Sequence, residues 1–208
     1  MNGASGTDCV FCQIAAGSAP AKWVHNDPES DLVVFHNRLK WADTMLLVVP
    51  RAHMTQEQFW TSALLPAAGR LGIDVGEAHS AIGFRMLSNF GRWAHQSQEH
   101  AHLHVISGLA GNLQSAVASG PQTTFDGVAA QPHKVDRTPS AVRLAAVSAR
   151  TQGELWSGDG ILATARLGIS WGNAQSAPGF RLASNFAPGA GDTPGLFLLA
   201  GGQLDLYV

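Results

Sequence analysis

The sequence predicts an α+β fold on three observations. Short apolar runs are flanked by turn formers, a stretch of helical spacing lies between the second and third of them, and a later part of the chain repeats an earlier part. With 208 residues, one or two domains are expected, large enough to bury about 70% of the unfolded surface.

The runs "DLVVFHN" (31–37), "MLLVVPR" (45–51), "FRMLSNF" (84–90) and "HAHLHVISG" (100–108) read as strands. Between the second and third, Thr55 and Gln58 have the spacing of a capping box, and Trp60, Ala63, Leu64, Ala67 and Leu71 follow helical periodicity. One helix is expected there, bent or ended near Pro66. Its apolar stripe is core.

"RLGIDVGEAHSAIGFRMLSNF" (70–90) aligns without gaps on "RLGISWGNAQSAPGFRLASNF" (166–186), identical at 14 of 21 positions, and "TQEQFW" (55–60) meets "TQGELW" (151–156) at the same offset of 96. Carried forward, that offset sets His100, His102 and His104 against Leu196, Leu198 and Ala200. Nothing in 111–150 repeats "CVFC", so the second copy reads as degenerate and shortened at its front. The expected division is a first domain over 1–110, a Gly/Ser/Ala/Pro-rich linker over 111–139 and the trimmed copy over 140–208.

A formal charge of −2 with 13 basic and 15 acidic residues offers no basic stripe, which argues against polymeric nucleic acid as a partner. No run approaches the roughly 20 apolar residues that span a bilayer, and "MNGASGTDC" lacks the features of a secretory signal. A cytoplasmic protein with no membrane partner is expected. In that compartment the two cysteines, Cys9 and Cys12 in C-x-x-C spacing, read as a metal clip, a redox pair, or two reduced thiols with one in the core.

"QSQEHAHLHVISG" (96–108) places histidines at every second position. On one extended strand, His100, His102 and His104 share a face, which makes a site or a costly surface. A cupin-like metal site needs a carboxylate and histidine partner at a spacing absent here. His25, His36, His79, His95 and His133 read as ordinary surface or loop residues, and the six tryptophans as core.

His100-Ala-His102-Leu-His104-Val-Ile resembles the histidine triad pattern of the HIT superfamily. "CVFCQIAAGSAPAKWVHND", "VVFHN", "LLVVPRAH" and "GFRMLSNFGRWAHQS" resemble its opening segment, two central strands, and third strand with phosphate-side loop, over about residues 9–108. The resemblance implies an antiparallel five-stranded sheet with a helix across it.

It further implies that His102 attacks the α-phosphorus of a nucleotide to form a nucleotidyl-histidine, which water resolves. A neutral imidazole, with an ordinary pKa near 6.5, is a competent nucleophile if a neighbour fixes its tautomer. His104, Gln96 and Ser97 would act with it on the phosphate and leaving group, and Asn89 would be a phosphate-side ligand. Asn37 stands where the family usually has an aspartate for the ribose; an amide still pairs with a hydroxyl, without the charge. Phe11, Ile14 and Phe35 would line the base pocket. A zinc-binding subset of the family implies Cys9, Cys12, His53 and His100 as ligands of a structural zinc, a closed tetrahedral set.

The implied activity is a nucleotide phosphoramidase or nucleotidyl hydrolase acting on purine nucleotide derivatives such as those of AMP or GMP. Dinucleoside polyphosphates are the alternative substrates, and a nucleotide-binding regulatory module with weak turnover is the alternative role. Since family members pair identical protomers, the degenerate copy is expected to form an intramolecular pseudo-dimer, the chain itself being a monomer or a homodimer.

Overall fold

A computed structural model describes residues 8–39, 42–108, 123–125, 128–134, 142–147, 152–174, 179–186 and 196–201. The first half runs through α1 (Val10–Ala15), β1 (Trp23–His25), β2 (Leu32–His36), β3 (Thr44–Pro50), α2 (Gln56–Trp60), α3 (Leu64–His79), β4 (Phe84–Phe90), a 3-10 turn (Arg92–Ala94) and β5 (Leu103–Ser107). The second runs through β6 (Thr123–Phe125), β7 (Val128–Lys134), β8 (Val142–Val147), α4 (Gln152–Ser157), α5 (Asp159–Ala174), β9 (Gly179–Phe186) and β10 (Leu196–Gly201). The strands form one ten-stranded sheet in the order β1-β2-β3-β5-β4-β9-β10-β8-β7-β6, antiparallel at every pairing. The first half thus supplies the expected five-stranded antiparallel sheet.

Alternation of side chains sorts the sheet into two faces. Leu32, Val34, Leu46, Val48, Phe84, Met86, Leu103 and Val105 pack with Phe59, Trp60, Leu65 and Ala68 of the helical layer. On the reverse face Val33, Phe35, Leu47 and Val49 pack with Phe11 and Ile14 of α1, and Leu87 packs with Ile106 and Ala183. The helices cover one face of the sheet; α1 covers only part of the other, leaving room there for a cleft.

The single helix expected after Thr55 is two. The capping box forms as anticipated: Gln58 N–H donates to Thr55 Oγ1 (3.2 Å) and Thr55 N–H to Gln58 Oε1 (2.8 Å). The chain turns at 61–63, where Ser62 Oγ accepts from Leu64 N–H (3.2 Å). Pro66 then lies in the first turn of α3, where its missing N–H leaves no bond unmade, so it helps start a helix instead of ending one. Among the described residues, no helix is long and apolar enough to cross a membrane.

One further expectation is corrected. β5 begins at Leu103, so of the three histidines only His104 lies on it. Ala101 N–H donates to Met54 O (2.9 Å) and His102 N–H to Gln56 Oε1 (3.3 Å); these bonds to the α2 segment replace a sheet ladder. Residues 123–125 and 128–134, inside the stretch read as a linker, are β6 and β7. Strand pairing is a backbone interaction, and "VAAQPHK" carries little of the β-branched or aromatic signal by which a strand is read. Among the described residues β6 pairs only with Val128–Ala130, which leaves Pro132 on a part of β7 bonded to β8 alone, where a proline is tolerated.

The centre of the sheet is the pairing of the two matching stretches. β4 lies against β9 with Phe84 opposite Phe186, Leu87 opposite Ala183 and Phe90 opposite Phe180. Phe84 and Phe186 stack at 4.6 Å and 6°, and Phe90 and Phe180 at 4.2 Å and 17°. Each helix approaches its phenylalanine through a glycine: a Cβ on Gly76 would lie 2.5 Å from the Phe84 ring, and one on Gly172 would lie 2.6 Å from the Phe180 ring. Gly76→Ala is therefore expected to destabilise the chain by about 1–3 kcal/mol through overpacking, read as a lowered urea midpoint with an unchanged slope.

Candidate functional site

The site is built where the segment ahead of β5 passes between α1 and α2. Gln56, buried, grips the backbone of His102 from both sides: its Oε1 accepts from His102 N–H (3.3 Å) and its Nε2 donates to His102 O (3.4 Å). The same Nε2 donates to Ser88 Oγ (2.6 Å), which also accepts from Trp60 Nε1 (2.7 Å). A buried, mutually satisfied network of this kind rigidifies what it holds.

The His102 ring has a defined tautomer. Its Nδ1 lies 2.8 Å from His100 O. A carbonyl only accepts, so Nδ1 carries the proton and Nε2 carries the lone pair. Burial holds the His102 pKa below its ordinary value, partly opposed by this bond; the ring is neutral. Phe11 stands edge-on to it, with centroids 5.4 Å apart at 83°. The His104 ring lies 4.8 Å away at 74°.

His100 faces the other way. Its Nε2 donates to Pro50 O (2.8 Å), so Nδ1 keeps the lone pair, 3.3 Å from Cys9 Sγ and 3.4 Å from Cys12 Sγ. Burial pushes the ring's pKa down to about 4, against the Pro50 bond and with His53 and His102 nearby. His53 Nδ1 lies 3.3 Å from Cys12 Sγ. One donor atom from each of Cys9, Cys12, His53 and His100 fits within 4.8 Å of the others. Adjacent S and N donors of a tetrahedral zinc are about 3.6 Å apart, given bonds near 2.3 and 2.0 Å. The four side chains are grouped tightly enough to suit such an ion, and the Pro50 carbonyl would be the outer partner that orients the His100 imidazole.

Beside His102 opens a cleft of about 1270 Å³. Of the residues anticipated from the sequence, Phe11, Ile14, Phe35, Asn37, Asn89, Ser97, His102 and His104 all line it. Gln96 does not: its Oε1 accepts from Gly91 N–H (2.8 Å) and its Nε2 donates to Gln98 O (3.0 Å), so it shapes the loop from within. His95, read as an ordinary loop residue, lines the cleft in a left-handed conformation (φ 62°). Asn37 Oδ1 accepts from Leu39 N–H (3.1 Å), which fixes its amide in a local turn.

Two contributors escape a reading of the sequence. Gln56 sits one residue after the Thr55 cap, with nothing in its spacing to mark it. Arg181, from β9, lines the cleft while 1% exposed; its Nε donates to Asn89 Oδ1 (2.6 Å) and its Nη2 to Ala94 O (3.1 Å). The offset of 96 that pairs it with Arg85 is a usable signal.

Residues 16–111 match the family described as HIT domain. Protein HitA of Neisseria gonorrhoeae is 31% identical over 103 residues, 48% of this chain and 94% of that protein. Adenosine 5′-monophosphoramidase HNT1 of Candida albicans is 27% identical over 111 residues, 50% of this chain and 72% of that protein. The crystal structure of a HIT family hydrolase from Legionella pneumophila Philadelphia 1 is similar at a TM-score of 0.44 and 29% identity, covering 49% of this chain and 93% of that one.

His104 carries a consequence for acid stability. Burial, then the unfavourable proximity of the His102 ring and of the Arg181 guanidinium, hold its pKa well below the ordinary value. The unfolded chain takes up a proton near pH 6.5 that the folded one refuses, so stability falls as pH drops through that value toward the folded pKa. Thermal midpoints should decline from about pH 7 to pH 5, and less steeply in His104→Gln; an equal decline in the variant would contradict this.

Proposed function

The chain belongs to the HIT domain family, and from that premise we propose that it is a nucleotidyl hydrolase of the phosphoramidase type, acting on purine nucleotide derivatives through His102. The observation that carries this reading is the Nδ1 proton committed to His100 O, which leaves His102 Nε2 a neutral nucleophile. In the proposed reaction Nε2 attacks the α-phosphorus, a P–N bond to the imidazole forms as the P–N bond to the leaving amine breaks, and the amine departs with a proton taken from solvent. Water then attacks the same phosphorus, releasing the nucleoside monophosphate and the free ring. His104 and Asn89 border the position for the phosphate, Ser97 that for the leaving group, and Phe11, Ile14 and Phe35 that for the base. The similarity to an adenosine 5′-monophosphoramidase favours phosphoramidates over dinucleoside polyphosphates.

Cys9, Cys12, His53 and His100 would hold a zinc ion, which supplies a structural cross-link with no coordination position left open. Burial, with Cys9 alongside, pushes the Cys12 thiol up to about 11; a divalent cation favours the thiolate and reverses that shift. In this reading His100 serves both centres, its ring toward the ion and its carbonyl toward His102.

The second copy, in this reading, takes the place of a partner protomer. Support comes from the self-complementary pairing of β4 with β9, in which each stretch meets the other in the same way. A second role, nucleotide binding with weak turnover, is favoured by Asn37, whose amide lacks the usual charge and already accepts a backbone bond.

Incubation with adenosine phosphoramidate should release AMP, and His102→Ala should reduce the rate by about 10³-fold or more. Binding of AMP without turnover would favour the second role. For the metal, elemental analysis after zinc loading should find one ion per chain, and Cys12→Ser should lose it. Chelation should lower the thermal midpoint of the parent protein and leave that of Cys12→Ser unmoved.

A further inference from the structure

We propose that Arg181, reaching across the β4–β9 seam from the second copy, is a positioning residue of the His102 cleft: it locks the Asn89 carboxamide so that its Nδ2 donor serves a nucleotide's phosphate. The inference rests on the nucleotide reading above and adds a residue to it. Guanidinium nitrogens only donate. The Asn89 atom 2.6 Å from Arg181 Nε is therefore the amide oxygen, and the group Asn89 can offer a ligand is its NH₂, a donor suited to phosphate oxygens.

The same guanidinium holds the loop. Its Nη2 donates to Ala94 O (3.1 Å), at the end of the 3-10 turn that leads into His95 and Ser97. Arg181 thus ties two parts of the phosphate side together. It is also a buried cation on the cleft wall, where an anionic ligand is attracted with little screening. Its charge is one of the causes holding His104 neutral.

The register explains why this residue and not its counterpart does so. In the pairing of β4 with β9, Asn89 stands opposite Arg181, and Arg85 stands opposite Asn185. The cleft lies beside the first pair, and Arg85 is not among its lining residues. The second copy has leucine and alanine where the first has its histidines, yet keeps the arginine. Delivery of Arg181 to the first copy's cleft gives that retention a chemical reason.

The test compares Arg181→Leu, Asn89→Ala, their double variant and Arg85→Leu, which removes the counterpart arginine from the same seam. Affinities for AMP and for adenosine are measured by calorimetry, together with kcat and KM for adenosine phosphoramidate. Arg181→Leu should weaken AMP by about 10- to 100-fold while adenosine changes less than about twofold. Adding Arg181→Leu to Asn89→Ala should weaken AMP by clearly less than Arg181→Leu weakens it in the parent, and Arg85→Leu should resemble the parent. If Arg181→Leu does not fold, Arg181→Lys carries the comparison, since an ammonium keeps the charge but not the fork. Parallel losses for AMP and adenosine, additive losses in the double variant, or an unchanged AMP affinity would overturn the proposal. A parent that prefers AMP over adenosine but does not turn over would defeat the hydrolase reading alone. A parent with no such preference would defeat both.

Discussion

Everything at the site depends on strand register. On β5 the even positions face the cleft, and on β4 and β9 the odd positions do, because Leu87 stands opposite His104 and Asn89 opposite Arg181. A slip of one residue at either pairing would turn these groups to the helical face and bring aromatic side chains to the cleft. Register is held where slippage is most costly, by two stacked phenylalanine pairs at the ends of the β4–β9 seam and by two glycines that let the helices close on them.

From that frame a short chain of directional bonds reaches the His102 ring. Pro50 O fixes the His100 tautomer, His100 O fixes that of His102, and Gln56 holds the intervening backbone from the opposite face. Every link is a carbonyl or amide whose role cannot invert, so geometry decides that in the neutral ring the lone pair lies on His102 Nε2. The cluster of Cys9, Cys12, His53 and His100 stands one bond upstream, which links the packing of α1 to the orientation of the His102 ring.

Much of this is legible in the amino-acid sequence itself. The alternating histidines, the C-x-x-C and the capping box are local patterns, which survive in sequence, and the repeat is read by aligning the chain on itself. Features made by tertiary contact are not legible there. Gln56 acts on a residue 46 positions away and Arg181 on one 92 positions away, at distances where periodicity says nothing. The three histidines share one strand on paper, yet side chain and backbone bonds from the α2 segment draw two of them off it. β6 and β7 hide in a Gly/Ser/Ala/Pro-rich stretch because pairing of β6 with β7 and of β7 with β8 needs backbone groups more than distinctive side chains. Gln96 shows the converse: its position matches, while its carboxamide serves its own loop.

The β4–β9 seam joins two parts of one polypeptide. Assemblies of separate subunits come apart on dilution, and a composite pocket between them disappears at low copy number. Here the encounter is unimolecular, governed by tether length instead of concentration. The two sides are also encoded separately, so each can change without forcing the same change on the other, a freedom no symmetric pair of identical subunits has.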